Sequence, residues 1–279
     1  GQVHWTPAHE LAHEDMAGGA VTAGDLDGDG DLDVSRNRTH FWNVGTPGDP
    51  AWEVDLGVYE GVPWCNIYQG FALGDLDADG DSDLVSTCRY AEDGLLHLHF
   101  NTALLPELSW EEMLGAFEGV PMSICELEPS LADIDSDGDL DLLVATDFGS
   151  LKLVENVGDP NQPIWSNRGT VTSLSSYAPS ADLGDLDGDG DLDLVSIAWA
   201  SPLRSWENVG TPTSPDFVEN PEMLTGVEAP WGFGVELLDI DGDGDQDLLI
   251  SGSSAWLYLN ERITPVAPST WGSIKALYR

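Results

Sequence analysis

The chain has 279 residues, of which 41% are apolar, with 51 acidic and 9 basic side chains and a net charge of −42. The length suits one large all-β domain or two ordinary ones, and the apolar content is enough for a real core. The charge argues against nucleic acid and anionic membrane surfaces as partners, and no apolar run approaches the roughly 18 residues of a membrane-spanning helix. A lysine-poor acidic surface is also what adaptation to high salt produces. No secretory signal is visible at Gly1, and a mature chain would have lost one.

In chain order, the first predicted element is a strand near 4–12, around Trp5. Next comes DLDGDGDLD at 25–33, with aspartate at every second position. Like charges this close repel unless something positive sits among them. The stretch returns as DLDADGDSD at 75–83, DIDSDGDLD at 133–141, DLDGDGDLD at 185–193 and DIDGDGDQD at 239–247. The runs flanking each copy, such as DLDLVSIAW and DLLISGSSAW, are apolar and β-branched without helical periodicity, so each copy is predicted to join two strands of a hairpin. A short run ending in asparagine follows each time, at Asn43, Asn101, Asn156, Asn208 and Asn260. Nine residues after the first four of these stand Trp52, Trp110, Trp165 and Phe217, each predicted to lie on a further strand. A last candidate strand lies near 269–277, around Trp271.

Numbered from its first aspartate, every copy has the same polar plan. Position 1 is Asp25, Asp75, Asp133, Asp185 or Asp239, and position 3 is Asp27, Asp77, Asp135, Asp187 or Asp241. Position 5 is Asp29, Asp79, Asp137, Asp189 or Asp243, and position 7 is Asp31, Asp81, Asp139, Asp191 or Asp245. Position 9 is Asp33, Asp83, Asp141, Asp193 or Asp247, position 6 is always glycine, and position 4 is always small. Oxygen side chains at 1, 3, 5 and 9, a backbone carbonyl at 7 and a glycine turn at 6 are the requirements of an EF-hand-type calcium loop. Zinc or copper would want histidine or cysteine, and none lies in any copy. The EF-hand itself does not fit, because position 12 is Arg36, Ser86, Val144, Ser196 or Ile250 rather than glutamate. About five calcium ions are therefore expected. The 26 acids outside the copies still outnumber the 9 bases.

The copies start 50 to 58 residues apart, a period that signals a propeller or solenoid. Each unit reads as strand, calcium loop, strand, loop, strand, turn, aromatic strand, which is one four-stranded blade. The loop GDLDGDGDLDLV and the stretches GFALGDLD and APSADLGDLD resemble the FG-GAP or VCBS repeat, found in the β-propeller of integrin α chains and in many secreted bacterial proteins. The resemblance covers nearly the whole chain. It implies an all-β, five-bladed β-propeller of four-stranded antiparallel blades over residues 1–279, with a calcium loop in each turn between first and second strands. Family propellers often have seven blades, and only five units fit here.

In such a blade the calcium turns share one face of the disc, while the loops between second and third strands and the connections between blades share the other. The resemblance implies that partners bind this other face. Its segments hold Arg36, Arg38 and Arg89 with Trp64, Tyr68, Tyr90, Phe148, Tyr177, Trp199, Trp231 and Phe233. Aromatic faces suit sugar rings, and arginines suit carboxylates or sulfates. The alternative is that these aromatics pack between blades and the arginines pair with nearby aspartates. Cys65, Cys88 and Cys125 fall on the same face, and their odd number allows one disulfide at most. Asn37-Arg38-Thr39 is a glycosylation sequon.

The six histidines show no catalytic or metal-ligand spacing, and Glu126, Glu128 and Asp147 are the acids available for a catalytic pair on the ligand face. The expectation is a secreted or cell-surface binding or adhesion module for carbohydrate or a surface protein, not an enzyme. The rival is a subunit of an extracellular assembly or filament, because six outer strands appear for five blades. The strand around Trp5 is expected to close the fifth blade, leaving the segment around Trp271 as an added edge or inter-subunit contact.

Overall fold

The computed structural model describes residues 5–11, 21–36, 38–45, 50–63, 70–87, 96–103, 107–118, 120, 128–145, 149–158, 162–173, 179–198, 201–211, 214–228, 232, 234–252 and 255–260, with the backbone alone at 6–11, 173 and 179. Strand β1 is Trp5–Leu11. The first blade has β2 (Val21–Gly24), β3 (Asp33–Arg36), β4 (Thr39–Asn43) and β5 (Trp52–Asp55). The second has β6 (Phe71–Gly74), β7 (Asp83–Thr87), β8 (Leu96–Asn101) and β9 (Trp110–Glu112), and the third has β10 (Pro129–Ala132), β11 (Asp141–Ala145), β12 (Ser150–Asn156) and β13 (Trp165–Ser173). The fourth has β14 (Pro179–Gly184), β15 (Asp193–Ala198), β16 (Arg204–Asn208) and β17 (Phe217–Glu219), and the fifth has β18 (Gly234–Leu238), β19 (Asp247–Ser251) and β20 (Ala255–Asn260).

Each blade is an antiparallel four-stranded sheet, in strand order β2-β3-β4-β5 and so on. The first strands touch in the cycle β2, β6, β10, β14, β18 and back to β2, so the five blades close a ring around a central axis. The second strands are buried on both faces, and β15 is inaccessible along its whole length, DLVSIA. This is why these runs read as continuous hydrophobics rather than alternating ones.

The apolar interior divides among the blade boundaries. One cluster joins Leu26, Val58, Tyr59 and Val62 of the first blade to Phe71 and Leu84 of the second. Similar clusters lie between the second and third blades around Val85, Leu142 and Trp165, and between the third and fourth around Leu143, Leu183 and Trp206. The last two join the fourth blade to the fifth around Val195, Leu237 and Met223, and the fifth to the first around Leu249, Val34 and Phe41. The aromatic landmarks of the outer strands serve these seams: Trp110 stacks on Tyr59 at 5.9 Å and donates to the Val58 carbonyl at 2.9 Å.

Strand β1 pairs antiparallel with β20, from Trp5 opposite Asn260 to Leu11 opposite Ala255, and completes the fifth blade in the order β1-β20-β19-β18. The N-terminal strand therefore closes the ring, as expected from its spacing. The segment 269–277 and Trp271 lie outside the described residues. Trp5 is 4% exposed, packs into the cluster between the fourth and fifth blades, and donates to the Met223 carbonyl at 2.8 Å. Truncating a buried tryptophan costs about 3–5 kcal/mol. Trp5→Ala should therefore lower the urea midpoint of the whole domain in one transition. A change worth less than about 1 kcal/mol would show that closure does not depend on this side chain.

Candidate functional site

Every aspartate loop is folded by its own carboxylates. The position-1 aspartate accepts the position-6 N–H at 3.1–3.2 Å in all five loops. The position-5 carboxylate accepts the position-7 N–H at 2.9–3.1 Å. The chain turns left-handed twice, at position 6 with φ from 94° to 100° and at position 4 with φ from 58° to 77°. Position 4 is small for this reason, and Ala78 and Ser136 occupy it with a Cβ in place.

Position 9 has a second role beside the expected one. Its Oδ2 accepts the position-2 N–H of Leu26, Leu76, Ile134, Leu186 or Ile240 at 2.9–3.1 Å. Its Oδ1 accepts the backbone N–H of Asn43, Asn101, Asn156, Asn208 or Asn260 at 2.8–2.9 Å. The two recurring signatures of the sequence are thus one structure, a buried carboxylate tying the loop to the third strand. In the first four blades the same asparagine turns its Oδ1 to two N–H groups of the next turn, as Asn208 does to Gly210 and Asp216, both at 3.0 Å.

These bonds bring carboxylate oxygens together within 4.8 Å of one another. Positions 1, 3 and 9 converge at Asp75, Asp77 and Asp83, at Asp133, Asp135 and Asp141, at Asp185, Asp187 and Asp193, and at Asp239, Asp241 and Asp247. In the first loop Asp25, Asp27 and Asp29 converge. Burial raises the position-9 carboxyls to about 7 at Asp33, Asp141 and Asp193 and about 8 at Asp83 and Asp247. The other aspartates add to the rise, and the backbone donors oppose it. Among the cluster members, the buried oxygens Asp75 Oδ1, Asp135 Oδ1 and Asp239 Oδ1 have no hydrogen-bond partner. Orphaned, all-oxygen, mutually repelling groups fit a metal ion, so these clusters could hold metal.

On the opposite face, the structure corrects one expected ligand residue. Arg36 is 1% exposed and donates through Nη2 to the Gly252 carbonyl, crossing from the first blade to the fifth. It ends β3 opposite Val21, inside the ring, and so is an internal strut rather than a surface group. Arg38 is half-buried and donates to the carbonyls of Tyr59 and Val62. Trp64, Tyr68, Arg89, Tyr90, Phe148, Tyr177, Trp199, Trp231 and Phe233 lie outside the described residues, as do Asn37, Glu126, Asp147 and the three cysteines. Glu128 lines the central cavity, a space of about 650 Å³ that also takes in Ser130, Asp182 and Glu236. The last two were not singled out by any motif.

The FG-GAP-like repeat matches residues 133–196 and 185–250, the segments carrying the third, fourth and fifth loops. No curated protein sequence matches the chain. Among solved structures, the catalytic domain of an α-L-arabinofuranosidase from Coprinopsis cinerea superimposes with a TM-score of 0.60 at 13% identity, over 95% of this chain and 99% of its own. A lectin from Agrocybe aegerita, described as recognising non-reducing terminal N-acetylglucosamine, gives a TM-score of 0.46 at 17% identity over 86% of this chain. The chain spans 62% of that lectin. The BP39L lectin of Burkholderia pseudomallei gives 0.44 at 12% identity, over 90% of this chain and 70% of its own. At these identities the likeness is one of fold.

The two kinds of aspartate separate experimentally. Asp193→Ala strands the buried N–H groups of Leu186 and Asn208, at about 1–3 kcal/mol each, and should destabilise the protein in chelator as well as in metal. Asp187 belongs to the acidic cluster, is half-buried and accepts the Asp189 N–H within the loop, so Asp187→Ala should matter chiefly when metal is present. Equal losses for the two variants in chelator would contradict the division.

Proposed function

We propose that this chain, an FG-GAP/VCBS-type β-propeller, is an extracellular, calcium-stabilised binding module whose ligand is a carbohydrate or a surface protein. The observation that carries this reading is that all five acidic clusters sit in the turns between first and second strands. Among the described residues the acidic clusters thereby share one face, which leaves the loops of the other face for recognition.

Calcium is the ion that suits the donors, because every one is a hard oxygen and none is nitrogen or sulfur. Bound there, it would supply the positive charge that each set of five carboxylates lacks. The position-1, position-3 and position-9 carboxylates would hold it in the last four loops, and Asp25, Asp27 and Asp29 in the first, while the bonds of position 9 to two backbone N–H groups fix the loop on the blade.

Binding rather than catalysis is supported by where the titratable groups go. The loop aspartates are taken up by the acidic clusters, and His40, His97 and His99 are buried at 0%, 8% and 2% exposure within β4 and β8. His40 shares a hydrogen bond with Ser35 at 2.7 Å, and His97 with Glu112 at 2.7 Å. The outer edges are of two kinds: β5, β9 and β17 are three or four residues long, too short to recruit a neighbouring strand readily, whereas β13 and β1 run for nine and seven residues and are the edges on which an assembly would have to build.

Five sites occupied at 10 to 100 times their dissociation constants contribute about 2 kcal/mol each. Chelation should therefore lower the melting temperature by on the order of 10 °C or more, and calcium should restore it. An unchanged melt after thorough chelation would overturn the calcium reading. For the ligand, a glycan array probed with and without calcium is the direct test, with calcium-dependent binding as the expected result. A light-scattering ladder of oligomers without glycan binding would favour assembly, and release of sugar from a bound glycan would favour an enzyme.

A further inference from the structure

The first strands face the axis with one edge unpaired within their own sheets. At the same place in each, three residues before the loop, stand Thr22, Ala72, Ser130, Asp182 and Glu236. Two of these five are acids, on adjacent blades. Asp182 reaches from the fourth blade to the Leu237 N–H of the fifth at 2.6 Å through Oδ2, and its Oδ1 accepts the Ser130 hydroxyl of the third. Glu236 reaches from the fifth blade to the first, where one oxygen, Oε1, accepts both the Ala23 N–H at 2.7 Å and the Thr22 hydroxyl at 3.2 Å. The acids thus staple four blades to one another, from the third round to the first, beside the place where β1 closes the ring without a covalent link.

The donors divide unequally. Each oxygen of Asp182 has its own N–H or O–H donor, which suits an ionised carboxylate. In Glu236 both donors converge on Oε1, which leaves Oε2 as the place for a proton. We propose that the inner ring at the closing junction is built around a carboxylic acid and a carboxylate, Glu236 protonated and Asp182 ionised, and that it loosens when alkali ionises Glu236. Two carboxylates that share a site do not both ionise readily.

The surroundings agree. Burial, followed by the charge of Asp182, pushes Glu236 well above the ordinary glutamate range, and Glu128 adds a smaller rise. Burial pushes Asp182 up to about 6, against the donors from Leu237 and Ser130. The groups facing Glu236 are Asp182 on β14, Glu128 ahead of β10, and the phenol of Tyr59. Strand β2 brings no titratable side chain, and the acids of β19 and β15 are the clamps Asp247 and Asp193. No cation is among the groups that shift either acid, and Arg36, which crosses from the first blade to the fifth, turns to the Gly252 carbonyl.

The sign follows from linkage. An acid whose folded pKa is raised binds its proton more tightly in the fold, so its contribution is fully present below the unfolded value near 4.5 and is lost as pH rises through the folded one. Over that window the folding equilibrium loses about tenfold per pH unit from this group. Glutamine at 236 keeps the Oε1 acceptor and cannot ionise.

The test is urea unfolding of the full chain, of Glu236→Gln and of Asp182→Asn, from pH 5 to pH 9 in excess calcium so that the loops stay filled. The expected result is a ratio of folding constants, Glu236→Gln over wild type, that climbs about tenfold per pH unit above about 5 until Glu236 is ionised. A ratio that is flat across the range overturns the proposal. So does a climbing ratio for Asp182→Asn with a flat one for Glu236→Gln, which would put the proton on the other acid. If Glu236→Gln fails to fold at all pH values while Asp182→Asn folds, the charge of Glu236 is required and the proposal is likewise overturned.

Discussion

The bond pair made by the position-9 carboxylate governs the rest of this architecture. A β-hairpin whose turn carries five acids has no reason to stay closed unless something orders the turn and relates it to the blade. Asp193 does both, with Oδ2 on the loop at Leu186 and Oδ1 on the third strand at Asn208. The carboxylate is 1% exposed, so each bond is made where water cannot compete, and leaving either donor unmet would cost free energy. Because Asn208 then orders the turn to the fourth strand, three of the four strands in the blade are positioned by one side chain. The geometry of the acidic cluster and the geometry of the blade thus rest on the same set of contacts.

The ring is less regular than its repeats. Five loops are superimposable in plan, yet the axis-facing position three residues before each loop varies from alanine to glutamate. The acids occur at the fourth and fifth blades, where closure is completed by Trp5 and β1. Arg36 adds a further tie between the first and fifth blades through the Gly252 carbonyl. Polar contacts between blades therefore run from the third blade through the fourth and fifth to the first, and include the boundary beside the closing strand. Such contacts are directional, and a misregistered closing strand would leave them unmade.

Much of this was legible in the sequence because it repeats. The loop plan, the hairpin around it and the asparagine landmark each recur five times, and recurrence turns weak local signals into a blade count. The closing role of the strand around Trp5 was legible from spacing alone. The partner of Asn208 was not, since nothing in a sequence says that an asparagine N–H meets an aspartate fifteen residues earlier. Arg36 misled because a basic residue beside a loop looks exposed, whereas it ends a strand buried on both faces. Asp182 and Glu236 gave no signal at all. In sequence they are isolated acids among many, and only ring closure brings them to one axis.

The central claim is that each loop and its clamp form an independent calcium site on its own blade. Native mass spectrometry of the chain titrated with calcium tests it most directly. The account predicts five ions bound to the wild-type chain and four to Asp193→Ala under conditions in which that variant remains folded. A wild-type chain that binds no calcium, or an Asp193→Ala chain that still takes up five ions with undiminished affinity, would contradict it.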